Sequence, residues 1–113
     1  MIVDYDKIEP VVTEGFKGGK GPMTSRPFFD GKTKINLSSL APGASAGFHM
    51  HEETLEVMYV VSGELTFDID GEKEVCRAGQ AHYCPEGHGH AFVNSGNGEA
   101  VFLCVVPTVP VQG

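Results

Sequence analysis

Gly43-Ala44-Ser45-Ala46-Gly47-Phe48-His49-Met50-His51-Glu52-Glu53-Thr54-Leu55-Glu56-Val57-Met58-Tyr59-Val60-Val61-Ser62-Gly63 places two histidines one residue apart, a glutamate five positions further on, and a glycine at either end. In an extended strand residues i and i+2 point to the same face, roughly 7 Å apart along the backbone, so the imidazoles of His49 and His51 can converge on one ion. Glu56 follows His51 at an odd offset and on one flat strand would face the other way. The chain therefore has to break between them. Glu52-Glu53-Thr54 is polar and suits a turn or bulge, after which Glu56, Met58 and Val60 share the inward face of the next strand.

Further along, Gly79-Gln80-Ala81-His82-Tyr83-Cys84-Pro85-Glu86-Gly87-His88-Gly89-His90 ends on a histidine just past a corner rich in Gly and Pro. His90, Phe92 and Asn94 alternate onto one face of the segment that follows. A ligand from so remote a strand is what a closed barrel supplies. Three imidazoles and one carboxylate suit a divalent transition metal (iron, manganese, nickel, cobalt, copper or zinc) better than calcium or magnesium, which take all-oxygen shells.

The rest of the chain is compatible with this frame. No useful window carries the apolar spacing of an amphipathic helix, while Lys34–Leu40, Glu56–Val61, Glu64–Asp70, Glu74–Arg77, His90–Asn94 and Ala100–Val106 are short, strand-like runs at fairly even intervals. The expectation is an all-β barrel or sandwich. Asp70-Gly71 suits a two-residue hairpin turn, and Gly96-Asn97-Gly98 can reverse the chain before the last strand. The stretch Phe16–Pro22 is the most loop-like. Its Gly-Lys pair is not a phosphate loop, because Gly21 stands where Ser or Thr should follow the lysine. Pro107-Thr108-Val109-Pro110 is expected to end regular pairing.

The two quoted stretches together resemble the cupin superfamily. Gly43, His49, His51, Glu56 and Gly63 match the first cupin motif in every spacing, and Gly79, Pro85, Gly87, His90 and Asn94 match the second. The resemblance covers residues 43–94 directly, with a short intermotif segment, Glu64–Ala78. It implies a six- to eight-stranded jelly-roll barrel, also described as a double-stranded β-helix, with His49, His51, Glu56 and His90 as its metal ligands. One pair of motifs implies one barrel, a single domain over residues 1–113. Gln80 departs from the Asp that cupins usually place after the motif glycine, which puts a turn contact in doubt.

Composition narrows the function classes. Eight Lys and Arg against fifteen Asp and Glu give a net charge of −7, which opposes binding to nucleic acid or to an anionic membrane. Most acids, Glu52, Glu53, Glu72 and Glu74 among them, read as solvated surface. Cys76, Cys84 and Cys104 form neither a CxxC pair nor a disulfide framework, and the N-terminus lacks the pattern of a secretion signal, so a cytoplasmic protein is expected.

Outside the ligand set, His82 and His88 read as surface or pocket-rim groups, and Tyr83 and Cys84 fall on opposite faces of one strand. Arg26, His82 and Tyr83 are the polar candidates for a role near the metal, whereas the expected inward neighbours Met58, Val60 and Phe92 are apolar. Such a lining favours metal-centred chemistry over a separate acid and base pair. Glu56–Val61 is apolar on both faces, which points to a second subunit over the outer face and so to a homodimer, unless the N-terminal segment with Phe16, Phe28 and Phe29 covers it. Cupins span many activities. The expected function is an enzyme using the metal on a small organic substrate, by oxidation or isomerisation, and the alternative is a non-catalytic module that binds or senses a small ligand.

Overall fold

A computed structural model describes residues 1–109. Pro110, the second proline expected to end pairing at the tail, lies outside the described residues.

The strand-like runs form strands. β1 spans Val11–Glu14, β2 Pro22–Arg26, β3 Thr33–Leu40, β4 Ser45–Met50, β5 Glu56–Ser62, β6 Glu64–Ile69, β7 Glu72–Arg77, β8 Ala81–Cys84, β9 Gly89–Val93 and β10 Ala100–Pro107. All pairings are antiparallel, in a six-stranded sheet ordered β1-β2-β3-β10-β5-β8 and a four-stranded sheet ordered β4-β9-β6-β7. From β3 to β10 the chain passes repeatedly between the two sheets, giving the expected jelly roll. β1 and β2 are additional strands: they extend the larger sheet from a region read as mostly irregular.

Alternation along the strands decides what is buried. Leu40, Met58, Val60, Leu65, Phe67 and Phe102 are all fully buried between the sheets. Truncating Phe67 or Phe102 to Ala in such packing costs about 3–5 kcal/mol. The outward residues of β5 behave differently, since Tyr59 and Val61 are 45% and 51% exposed. The N-terminal phenylalanines are employed elsewhere: Phe16 and Phe29 stand at the cavity described below.

Turn chemistry closes the strands where the motifs place it. Asp70 and Gly71 both have positive φ (51° and 79°), as the hairpin between β6 and β7 requires. At Gly63 (φ 77°) a Cβ would also press on Glu99 O at 2.9 Å. Gln80 makes the turn contact left in doubt, because its side-chain oxygen accepts the Arg77 N–H at 2.8 Å. Asn94 is buried and ties the loop between β9 and β10 to the end of β3: its amide donates to Leu40 O (2.8 Å) and Gly98 O (2.9 Å), and its oxygen accepts from Gly96 N (3.0 Å). Pairing ends at Pro107, followed by one bridge from Thr108 to Thr54.

The loop-like segment Phe16–Pro22 is a strap on β4. A single 3-10 turn, Phe16–Gly18, lies so close to the strand that a Cβ on Gly47 would stand 2.1 Å from Lys17 O, and one on Gly19 would stand 2.0 Å from Ser45 O. Glycine at both positions lets the two backbones touch. Arg26 also serves the N-terminal segment, its Nη1 donating to Tyr5 O and Ile8 O at 2.9 Å each.

Candidate metal centre

The four motif side chains meet at one point. β4 and β9 pair so that His49 lies directly opposite His90, after an irregularity in β4 between Ala46 and His49. His51 follows the end of β4, where its N–H bonds His88 O and its own C=O accepts from Gly87 N. The chain then turns through Glu52 and Glu53, and Glu56 opens β5. This is the break that the odd offset between His51 and Glu56 demands. One ligand atom from each of His49, His51, Glu56 and His90 lies within 4.8 Å of all the others.

Hydrogen bonds orient each ring. His49 Nδ1 lies 2.8 Å from Gly47 O, and a carbonyl only accepts, so Nδ1 carries the proton and Nε2 is left with its lone pair. His51 Nδ1 is 2.9 Å from Thr54 Oγ1. His90 Nδ1 is 2.9 Å from His82 Nε2. With every Nδ1 occupied, the three Nε2 atoms turn inward: His90 Nε2 is 3.1 Å from His49 Nε2 and 3.3 Å from His51 Nε2. Such outer bonds are the usual means of fixing the tautomer and rotation of ligating imidazoles.

Glu56 Oε1 tests whether a metal fits. It is buried 2.8 Å from His90 Nε2 and 3.1 Å from His51 Nε2, yet among the described residues no hydrogen bond is directed at it. A buried carboxylate oxygen facing nitrogen lone pairs is an unfavourable grouping in itself and a suitable one around a cation. Three nitrogens and one oxygen suit a divalent transition metal, so these residues could hold one. Burial would raise the Glu56 carboxyl, but the His51 and His90 imidazoles, when they carry a proton toward it, outweigh burial through hydrogen bonds and charge and hold the pKa down to about 2. Burial lowers His49 below its ordinary value, against its bond to Gly47. The set thus favours a neutral His49 with an ionised Glu56, the states that bind metal.

Behind His90 the expectations fail in an informative way. His82 is 2% exposed, not a surface or rim group. Its ring stacks on Phe67 with centroids 3.7 Å apart and planes 9° apart, and its Nδ1 bonds the Glu74 carboxylate. Burial lowers the His82 pKa, although Glu74 works the other way. Glu74 is half-exposed, so the solvated-surface expectation describes only part of that side chain. His88 is as expected, near the surface and paired with Asp70 at 2.8 Å.

A cavity of about 430 Å³ leads to the cluster, with His49, His51 and Glu56 in its wall. Phe92 lines it as expected, while Met58 and Val60 pack in the core instead. Arg26 and Tyr83 do not reach it: the first holds the N-terminal segment, and the second is 54% exposed. Cys84 is buried apart from it, its thiol pushed up to about 11 by burial and by the charges of Glu56 and Asp70. The polar lining comes from residues the motifs do not mark: Ser25, Asn36 and Ser38 on the wall, with Lys17, Lys32 and Lys34 also lining the cavity. Cys104 lines it too, its thiol held protonated by burial and by Glu56. The alternation Lys34, Asn36, Ser38 was the available signal, but alternation alone does not say which face turns inward.

Known proteins agree with this architecture. The chain is 30% identical to an oxalate-binding protein of Thermotoga maritima, over 94% of this chain and 93% of that one. The crystal structure of a predicted oxalate decarboxylase from Thermotoga maritima superposes with a TM-score of 0.90 at 29% identity, covering 96% of this chain and 100% of that one. A sugar phosphate isomerase of the cupin superfamily from Silicibacter pomeroyi gives 0.78 at 27% identity, over 97% of this chain and 77% of that one. The Cupin domain family model matches residues 36–106, so this chain, with its jelly roll and both motifs, belongs to the cupin family.

Proposed function

We propose that His49, His51, Glu56 and His90 hold one divalent transition metal ion, and that the protein uses it to oxidise or isomerise a small organic anion. The observation that carries this reading is the charge arrangement of the cavity. In a chain of net charge −7, three lysines line the cavity, and among the described residues Glu56 at the cluster is its sole acid. A cavity of this size accommodates a small ligand, and the lysines favour a carboxylate. The oxalate-binding relative and the predicted oxalate decarboxylase support the same ligand class.

The chain's own groups do the binding and positioning. Lys17, Lys32 and Lys34 attract the anion, Ser25, Asn36 and Ser38 offer polar contacts, and Phe16, Phe92 and Phe102 exclude water. Among the described residues Cys104 is the one ionisable group of the lining apart from the lysines and the proposed ligands, and its protonated thiol is a poor base. A bound metal would supply Lewis-acid or redox chemistry.

That scarcity of acid and base groups also favours a second reading, a non-catalytic module that binds or senses the same anion. To separate them, the metal content of protein purified without an affinity tag is measured, and the metal-loaded protein is titrated with oxalate, glycolate and a neutral diol. Substrate is then followed over many turnovers. Anion binding with product formation supports the enzyme, binding without turnover supports the module, and no anion binding overturns both.

The homodimer belongs to the same proposal. Tyr59, Val61 and Tyr83 leave an apolar outer surface on the paired strands β5 and β8. Sedimentation equilibrium is expected to give twice the mass of 12.1 kDa.

A further inference from the structure

β8 ends the six-stranded sheet and β7 the four-stranded one, and a side-chain bond joins these two edge strands. A short line of side chains crosses this seam. Glu74 of β7 bonds His82 Nδ1 of β8, and His82 Nε2 lies 2.9 Å from His90 Nδ1 of β9. His90 Nε2 then faces Glu56 and the other two histidines. A half-exposed carboxylate is thereby joined to the back of the cluster through one fully enclosed imidazole.

Donor and acceptor chemistry gives this line a direction. A carboxylate oxygen only accepts, so His82 Nδ1 carries a proton and donates to Glu74. A neutral His82 then presents a lone pair at Nε2, and the partner it faces, His90 Nδ1, has to be the donor. With its proton on Nδ1, His90 keeps Nε2 free for a metal. The opposite tautomer of His82 would aim an N–H at His90 Nδ1 and put the His90 proton on the metal side. Packing holds the intermediary in place, because the His82 ring lies flat on Phe67. Buried as it is, the ring is costly to leave unpaired.

We propose that His82, anchored by Glu74, is a positioning residue that fixes the tautomer and orientation of His90 and thereby sets the affinity of the metal centre. The inference rests on the metal-binding reading above. It assigns a role to two residues outside both motifs, and makes the seam between the sheet edges part of the site. A histidine that merely filled core space could be replaced by any flat ring on Phe67 without consequence for the metal.

The test uses zinc, whose diamagnetism permits NMR, on the full chain labelled with 15N-histidine. Four variants are compared. His82→Phe keeps a ring on Phe67 and removes both hydrogen bonds, while His82→Gln supplies an amide that can accept from His90 and donate to Glu74. Glu74→Ala removes the anchor at an exposed position, and Glu74→Gln retains an acceptor. Zinc affinity is read by chelator competition, and ring tautomers are read from long-range 1H–15N spectra.

In the zinc-loaded protein His90 should show a protonated, slowly exchanging Nδ1 and a zinc-bound Nε2, with His82 protonated at Nδ1. His82→Phe should weaken zinc binding about 10–100-fold, the range typical of lost outer bonds to metal ligands. Glu74→Ala should weaken it less, and both Gln variants should bind near the wild-type value. Wild-type zinc affinity in His82→Phe, or a His82 protonated at Nε2, overturns the role of His82 and leaves the metal site standing. A wild-type chain that takes up no zinc removes the metal reading and this inference together. Circular dichroism shows whether His82→Phe folds; if it does not, Glu74→Ala decides, because equal affinity in that variant overturns the anchoring.

Discussion

The carbonyl oxygen of Lys17 occupies the place that a side chain on Gly47 would take, 2.1 Å from an ideal Cβ. This contact seats the strap on β4, sets Phe16 edge-on to the His49 ring at 6.1 Å, and brings Lys17 to the cavity. Gly47→Ala should push the strap away, because backbone meets backbone and no side chain can swing aside. A loss of about 1–3 kcal/mol is expected from such overpacking, read as a lower urea midpoint. Anion affinity should fall with it. Gly98→Ala, where a Cβ meets nothing within 4 Å and φ is not positive, is the control and should change neither.

Glu56→Gln separates a ligand from a structural ion pair. The substitution conserves volume and removes the buried charge whose oxygen has no hydrogen bond directed at it. Metal affinity should fall by more than about a hundredfold, beyond the usual loss for an outer-shell contact. The metal-free protein should fold with a lower urea midpoint at neutral pH, since a carboxyl held below its ordinary value stabilises the folded state when ionised. A variant that binds metal normally would exclude Glu56 as a ligand.

Mild acid should destabilise the metal-free protein through its histidines rather than through Glu56. Burial lowers His49 and His82 below 6.5, so in the window beneath 6.5 the unfolded chain binds protons that the folded chain resists. Stability rises with pH wherever the unfolded state binds more protons. Their contribution is therefore complete above 6.5 and is lost as pH falls through the folded values. Glu56 has its window lower, from its ordinary 4.5 to about 2. Urea midpoints measured from pH 7.5 to 5 should fall, and fall less in His82→Gln. Metal content should decline over the same range, because only neutral imidazole ligates.

Both motifs were legible because a cupin concentrates its ligands and its corner glycines at fixed spacings, and these survive without knowledge of which strands pair. The break after His51 was legible for a related reason: strand parity forbids His51 and Glu56 from sharing a face without one. His82 was not. Its place one strand behind His90 depends on two sheet edges meeting, and a single histidine in a four-residue strand says nothing about that. The strands Val11–Glu14 and Pro22–Arg26 were missed because the Gly-rich strap between them masks a hairpin whose turn is used to press on β4. The lysines escaped because a positive residue in an acidic chain reads as surface until the cavity shows what it faces.

The lysines give the last expectation. Lys17, Lys32 and Lys34 line the same cavity as His49, His51 and Glu56, and Lys34 projects from β3, two residues before Asn36 and four before Ser38, on the same strand face. If the cavity selects anions by charge, reversing one of these should act through long-range attraction and not through a lost contact. Lys34→Glu should therefore weaken oxalate binding to the metal-loaded protein about three- to tenfold at low ionic strength, as expected for partly screened surface charges. At 1 M salt, where the Debye length shrinks to about 3 Å, the difference should nearly vanish. Zinc affinity in the absence of oxalate should change little, since among the described residues no hydrogen bond or ion pair joins Lys34 to any of the four ligands. An oxalate affinity unaffected by Lys34→Glu at low salt would place anion selection at the metal alone.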